Sequence, residues 1–131
     1  MKTNAQKIKD FHTTMGAIAP DKPTMPSQEL LNLRLTLIRE EYEEVTEQFN
    51  KLIDTESTDM ASLIHELTDL LYVTYGAIWA CGVDPDPIFE EVHSANMRKL
   101  DGPRRADGKV LKPQGWQPAN VAKIIEEVKK A

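Results

Sequence analysis

Five carboxylates stand at helical spacing in two short stretches of this 131-residue chain: Glu40, Glu41 and Glu44 in REEYEEV, then Glu66 and Asp69 in HELTDLL. Residues three or four apart share one face of an α-helix, so each stretch projects its acids together. An antiparallel pairing of the two helices sets one acidic face against the other. Carboxylates gathered in one crevice repel, and a cation is needed to hold them. Hard oxygen donors around a small site suit Mg²⁺, or Mn²⁺ in its place, with phosphate oxygens completing the shell. The implied chemistry is that of phosphates.

The register of the acids strengthens this reading. Leu30, Leu33 and Leu37 form an apolar stripe, and its continuation lands on Glu40/Glu41, Glu44 and Gln48. On the next segment Val73 and Ala77 share a face that leads back to Asp69 and Glu66. Acids therefore occupy positions where the periodicity expects apolar side chains. A buried, unpaired carboxylate is very unfavourable, so such groups are protonated, paired or metal-bound. An acidic run such as EEYEE alone is ordinarily a solvated helix face. The matching E-x-x-D on the following helix turns the reading toward a metal site.

The elements that must position these acids are helical. Ile8, Phe11 and Met15 mark an amphipathic helix from Asn4 to about Gly16, followed by a proline-rich connector, APDKPTMP. Ser27 supplies an N-cap and Glu29 suits the first turn of a helix from Gln28 to about Leu52. The polar turn DTESTD precedes a third helix, from about Met60 to Cys81, with Gly82 as its terminating residue. Its second half, LLYVTYGAIWA, is apolar nearly all round, which predicts the central, most buried helix. Asp84-Pro85 caps and opens a fourth helix through about Leu100. Residues 101–118 lack a helical period, only Lys109 to Lys112 reads as extended, and a short last helix runs from about Ala119 to Lys130. The expected fold is all-α, a four-helix-bundle-like single domain over residues 1–131 with a short extra terminal helix.

Bulk properties exclude other classes. Hydrophobic content of 40% and charged content of 28% are ordinary for a globular domain. A net charge of −5 argues against nucleic-acid binding. The single cysteine, Cys81, lies in an apolar stretch and reads as a buried small hydrophobe in a reducing compartment. No run of about 18 apolar residues and no signal-peptide core is present, so a cytoplasmic protein is expected, not a membrane protein. The third helix is too apolar around its circumference to be covered within so short a chain, which predicts a homo-oligomer, dimer or tetramer.

With these residues in view, the chain resembles the MazG-like nucleoside triphosphate pyrophosphohydrolases, a superfamily that includes dimeric dUTPases and phosphoribosyl-ATP pyrophosphohydrolases. The resemblance spans about residues 7–118. It rests on LRLTLIREEYEE, ELTDLLYVTYG, the opening FH…MGAIAPDKPTMPS, and the tail VHSANMRKL…DGKVLKPQGW, all in the manner of short single-domain bacterial and phage members. It implies Mg²⁺-dependent hydrolysis of a nucleoside triphosphate to monophosphate and pyrophosphate, with purine nucleotides, guanine among them, as substrates. Glu41, Glu44, Glu66 and Asp69 match the metal ligands, and Glu40 matches the general base for the attacking water. Asn96 and Lys99 match positions near the phosphates, and Lys109 and Lys112 are candidates for the same role. The resemblance also implies dimers or larger assemblies with sites near subunit contacts. Phosphoribosyl-ATP hydrolysis is the alternative within the superfamily.

The remaining singular residues read more plainly. His12, beside Phe11, is a candidate for the base pocket. His65 has no partner at ligand spacing and reads as a structural histidine. His93 follows Glu90 at E-x-x-H, the spacing of carboxylate-bridged di-metal bundles, but an oxidoreductase of that kind needs two such motifs. Arg104 and Arg105 read as solvated loop residues, and Trp79 and Trp116 as packing residues. A non-catalytic helical scaffold remains the alternative of another class, and it gives no reason for acids to continue an apolar stripe.

Overall fold

The structure is a computed structural model and describes residues 1–17 and 19–130. Five helices occur in chain order: α1 (Asn4–Thr14), α2 (Gln28–Asp54), α3 (Ala61–Ala80), α4 (Pro85–Met97) and α5 (Val121–Lys130). Among the described residues there is no strand, only an isolated antiparallel bridge between Arg104 and Val110. The fold is all-α, as the sequence predicts.

Side chains set most of the helix starts. Thr3 accepts from the Gln6 amide while the Gln6 side chain accepts from the Thr3 amide, a capping box. Ser27 Oγ accepts from Leu30 N at 3.2 Å and opens α2. At α3 the backbone cap is Met60, and Asp59 Oδ1 accepts from Ala61 N at 3.0 Å instead. Asp84 accepts from the Asp86 amide ahead of Pro85 in the first turn of α4.

Two helix ends are shorter than the sequence suggests. α4 stops at Met97 because the chain tightens into three-residue turns there: Lys99 N donates to Asn96 O and Leu100 N to Met97 O. α3 stops at Ala80, and Gly82 takes φ +71° just beyond it. A Cβ at position 82 would sit 2.3 Å from the Lys22 carbonyl oxygen. Glycine is therefore required there twice over, for conformation and for space.

The chain forms two compact units, Met1–Val83 and Asp84–Ala131. In the first, α2 packs along α3, and α1 lies against α3. In the second, α4 pairs with α5, and Asn120 N donates to Glu91 at 3.0 Å. The buried side chains are few and mostly small: Ala5, Ile8, Val45, Ala80, Val83, Pro85 and Ala95. α3 is not the deeply buried helix that its composition predicts. Only Gly76 and Ala80 are buried along it, while Ile64 is 51% and Leu71 45% exposed. One chain supplies neighbours for one side of α3 and leaves the other side bare.

Gly82→Ala is expected to destabilise the protein by at least about 1–2 kcal/mol, the left-handed penalty alone, before the contact with Lys22 is counted. Chemical denaturation of the variant measures it, and an unchanged midpoint would contradict the turn geometry.

Candidate active site

α2 and α3 bring the acids face to face. Carboxylate oxygens of Glu41, Glu66 and Asp69 lie within 4.8 Å of one another, each residue half-buried. The two helices keep a steady antiparallel register: Arg34 lies against Gly76, Glu41 meets Asp69, and Glu44 meets Glu66. Glu44 is exposed and outside the closest triad, yet it lies close enough to raise the carboxyls of both Glu41 and Glu66. Glu40 is exposed on α2, one residue before the triad.

The electrostatics are those of crowded like charges. The Glu41 carboxyl is held above the ordinary carboxylate range, first by loss of hydration, then by Glu44, Asp69 and Glu66. Glu66 is raised first by its hydrogen bond with Glu44, then by desolvation and by the charges of Glu44 and Asp69, with His65 acting in the opposite direction. Oε2 of Glu41 and Oε2 of Glu66 are shielded from solvent and find no hydrogen-bond partner among the described residues. Shielded oxygens without partners, beside acids that resist losing protons, form a donor set that a cation would satisfy. Three oxygen donors from two rigid helices fit Mg²⁺ or Mn²⁺.

His65 differs from its expected role. It is exposed, and its Nε2 lies 3.3 Å from Asp69 Oδ2, one helical turn away. The i, i+4 spacing carried that signal. A side chain that touches a candidate ligand fixes the direction in which the ligand's free oxygen points.

At the other end of the same helix pair His12 lines a cavity with Arg34, Leu37, Tyr72 and Val73. Its ring packs edge-on against Phe11, with centroids 5.3 Å apart. Arg34 had no place among the candidates from sequence, because one cation inside a leucine stripe passes for a side chain reaching out to solvent.

The basic candidates lie in the second unit. Asn96 is exposed on the last turn of α4. Lys99 and Lys112 hold their ammonium groups 4.7 and 5.3 Å from the centroid of the Trp116 ring. Trp116 in turn donates to the Ala95 carbonyl at 2.8 Å, in keeping with a packing role. Lys109 is exposed, and its amide donates to Asp107. The two arginines do more than extend into solvent. Arg105 grips Asp107 through two hydrogen bonds, and Arg104 donates to the Leu100 and Gly102 carbonyls, so both tie the loop. Glu90 and His93 are exposed and join no metal-holding cluster among the described residues.

A helical pair with opposed acidic faces is the central feature of the candidate site, and the comparison with known families places the chain. The family model described as phosphoribosyl-ATP pyrophosphohydrolase matches residues 8–96, about two thirds of the chain. The chain belongs to that family, within the MazG-like all-α NTP pyrophosphohydrolase superfamily, and is an enzyme of the pyrophosphohydrolase class. No curated protein matches it. Among the described residues, no helix is long and apolar enough to cross a membrane.

The raised carboxyls make a signed prediction. Glu41 and Glu66 bind protons more tightly folded than unfolded, so the metal-free protein loses stability as pH rises past the ordinary carboxylate value of 4.5 toward their raised values. Glu41→Gln removes part of that loss. In chelator at pH 7.5 it should melt a few degrees above the wild type, whereas Mg²⁺ should raise the wild-type melting temperature and leave the variant's nearly unchanged. Thermal melts at pH 5 and 7.5 measure both effects. A variant that melts lower in chelator would contradict the crowding.

Proposed function

We propose that this protein hydrolyses a (deoxy)nucleoside triphosphate to the monophosphate and pyrophosphate, with Mg²⁺ as its ion and Mn²⁺ able to substitute, and so acts on the nucleotide pool. The observation that carries the reading is the Glu41, Glu66 and Asp69 triad, oxygens within 4.8 Å, with shielded atoms that lack partners. Family membership supplies the bond type. A purine base is proposed from the resemblance to short phage-type members.

In this reading Glu41, Glu44, Glu66 and Asp69 would hold the ion, which when bound would supply positive charge against the phosphate oxygens. His65 positions the Asp69 carboxylate through its 3.3 Å contact. Glu40, exposed beside the triad, is assigned as general base. It takes the proton from the attacking water as the new O–P bond forms; one P–O bond of the α–β bridge breaks, and the bridging oxygen departs with that bonding pair on the other phosphate. Assignment of Asn96, Lys99, Lys109 and Lys112 to the substrate phosphates rests on the resemblance alone. A second reading keeps the reaction and changes the substrate, since the matching family model is described by phosphoribosyl-ATP; a panel of that compound with all NTPs and dNTPs separates the two.

Chromatography at an early time point should show monophosphate and pyrophosphate appearing together, only with divalent ion, and without diphosphate. Glu41→Gln, Glu44→Gln, Glu66→Gln and Asp69→Asn should each lower turnover by about 10²-fold or more. Glu40→Gln should lose rate while keeping nucleotide affinity. Accumulating nucleoside diphosphate would replace this reaction with stepwise phosphatase action.

We also propose that the working form is a homo-oligomer, a dimer or tetramer. Leu35, Tyr42 and Phe49 recur every seven residues along α2 and are exposed, Tyr42 at 61%. Met60 at the cap of α3 and Ile64, Leu67 and Leu71 within it alternate at four and three residues and are exposed as well. Heptad-spaced apolar stripes on a helical hairpin suit helix–helix packing against a second copy. Light scattering at micromolar concentration should give at least the dimer mass, and an active monomer would refute the assembly.

A further inference from the structure

The cavity at the far end of the α2–α3 pair carries a signal independent of the acids. About 480 Å³ lies there, walled by Phe11, Met15, Leu33, Leu37, Tyr72 and Trp79. That volume and those walls are typical of a site for a small, flat, largely apolar group. Phe11 and Tyr72 meet edge to face, centroids 5.6 Å apart and planes at 73°, and make a rigid aromatic corner.

Two polar side chains enter this space, His12 and Arg34, and their contacts fix what each has left to offer. His12 Nδ1 lies 2.8 Å from the Ile8 carbonyl oxygen. A carbonyl only accepts, so the ring proton is on Nδ1 and Nε2 is an acceptor. Arg34 Nη1 donates to that Nε2 at 3.3 Å. The guanidinium lies across Gly76, where an added Cβ would meet Nη1 at 2.9 Å, so the absence of a side chain at 76 makes its room. With one nitrogen committed, Arg34 Nε is shielded from solvent and has no partner among the described residues. No ion pair reaches Arg34 among them either. Burial also holds its pKa below the ordinary arginine value. A fixed planar fork with a buried, unused donor is an unfavourable arrangement unless a ligand completes it.

The register says where such a ligand leads. Arg34 and Glu41 are seven residues apart on one helix, about 10 Å along its axis. Gly76, Val73 and Asp69 step down the facing helix in parallel. A ligand in the cavity therefore has the acids about 10 Å away along the same helix pair.

We propose that the cavity takes the base of the substrate nucleotide and that Arg34, oriented by His12, is the specificity residue that selects a 6-oxopurine. This rests on the triphosphate hydrolysis proposed above. Guanine and hypoxanthine present two adjacent acceptors, O6 and N7, which match the donors of an arginine fork. Adenine presents N7 beside its N6 amino group, which sets donor against donor. Arg34 reads the base edge and takes no part in bond cleavage.

Initial rates of pyrophosphate release with dGTP, dITP, 7-deaza-dGTP and dATP test the assignment. dGTP and dITP should be equivalent and exceed dATP in kcat/KM by about 5- to 150-fold, the range one bidentate contact discriminates, with 7-deaza-dGTP between them. Arg34→Met should bring the guanine and adenine substrates level. An equal loss on all substrates would reduce Arg34 to a structural residue, and a wild type that prefers dATP would overturn the assignment outright. Binding keeps the two proposals apart. Trp79 lines the cavity, so in a Trp116→Phe background its fluorescence should respond to dGMP and not to dAMP. A response without turnover of any triphosphate would sink the hydrolase reading and leave the pocket standing; turnover without base preference would do the reverse.

Discussion

Mutual repulsion among Glu41, Glu44, Glu66 and Asp69 is the constraint around which the first unit is built. Left to themselves, four acids on facing helices would splay the pair apart. They stay within reach because α2 is a long helix of 27 residues and α3 one of 20, packed along one another on either side of the acids. Burial elsewhere on the pair opposes the repulsion, and the raised Glu41 and Glu66 carboxyls are its trace. Function here opposes stability, which is common where a site must hold charge ready for a ligand.

The packing that opposes the repulsion is thin in the isolated chain. Buried side chains of the first unit are Ala5, Ile8, Val45, Gly76, Ala80, Gly82 and Val83, and none is large. The larger apolar residues of α2 and α3 are half-buried, line the cavity or face outward. A helix as apolar as α3 leaves its surplus on the surface unless another chain covers it, so the same sequence feature governs both the stability of the acidic pair and the assembly proposed for it.

Legibility in the sequence followed distance along the chain. Ser27, Asp84-Pro85 and Gly82 act within a few residues, and the helices begin or end beside them as read. The acids were legible because i, i+3 and i, i+4 spacing is local and because they continue apolar stripes. The early end of α4 was not, since nothing between Asn96 and Leu100 breaks a helix; the chain turns there through three-residue hydrogen bonds. His65 was passed over although its partner is only four residues on. Arg34 and His12 meet across 22 residues through the fold of α1 onto α3, and no local pattern encodes that contact. The exposure of α3 is set by how few neighbours one chain offers it, which its composition does not encode.

The two ends of the helix pair suit opposite tasks for a physical reason. Around the acids Glu40 and Glu44 are exposed and the triad is half-buried, so water and hydrated ions can enter. Under α1 the surroundings are aromatic and aliphatic, and Nε of Arg34 is shielded from solvent. Hydrogen bonds discriminate poorly where water competes and strongly where it is excluded. In the proposed function the base is read at the apolar end, and the polyphosphate is gripped through an ion at the acidic one. A nucleotide has the same polarity, an apolar ring with a few edge groups at one end and dense charge at the other. One antiparallel register, set by the packing of α2 on α3, places the cavity and the acids along the same pair of helices.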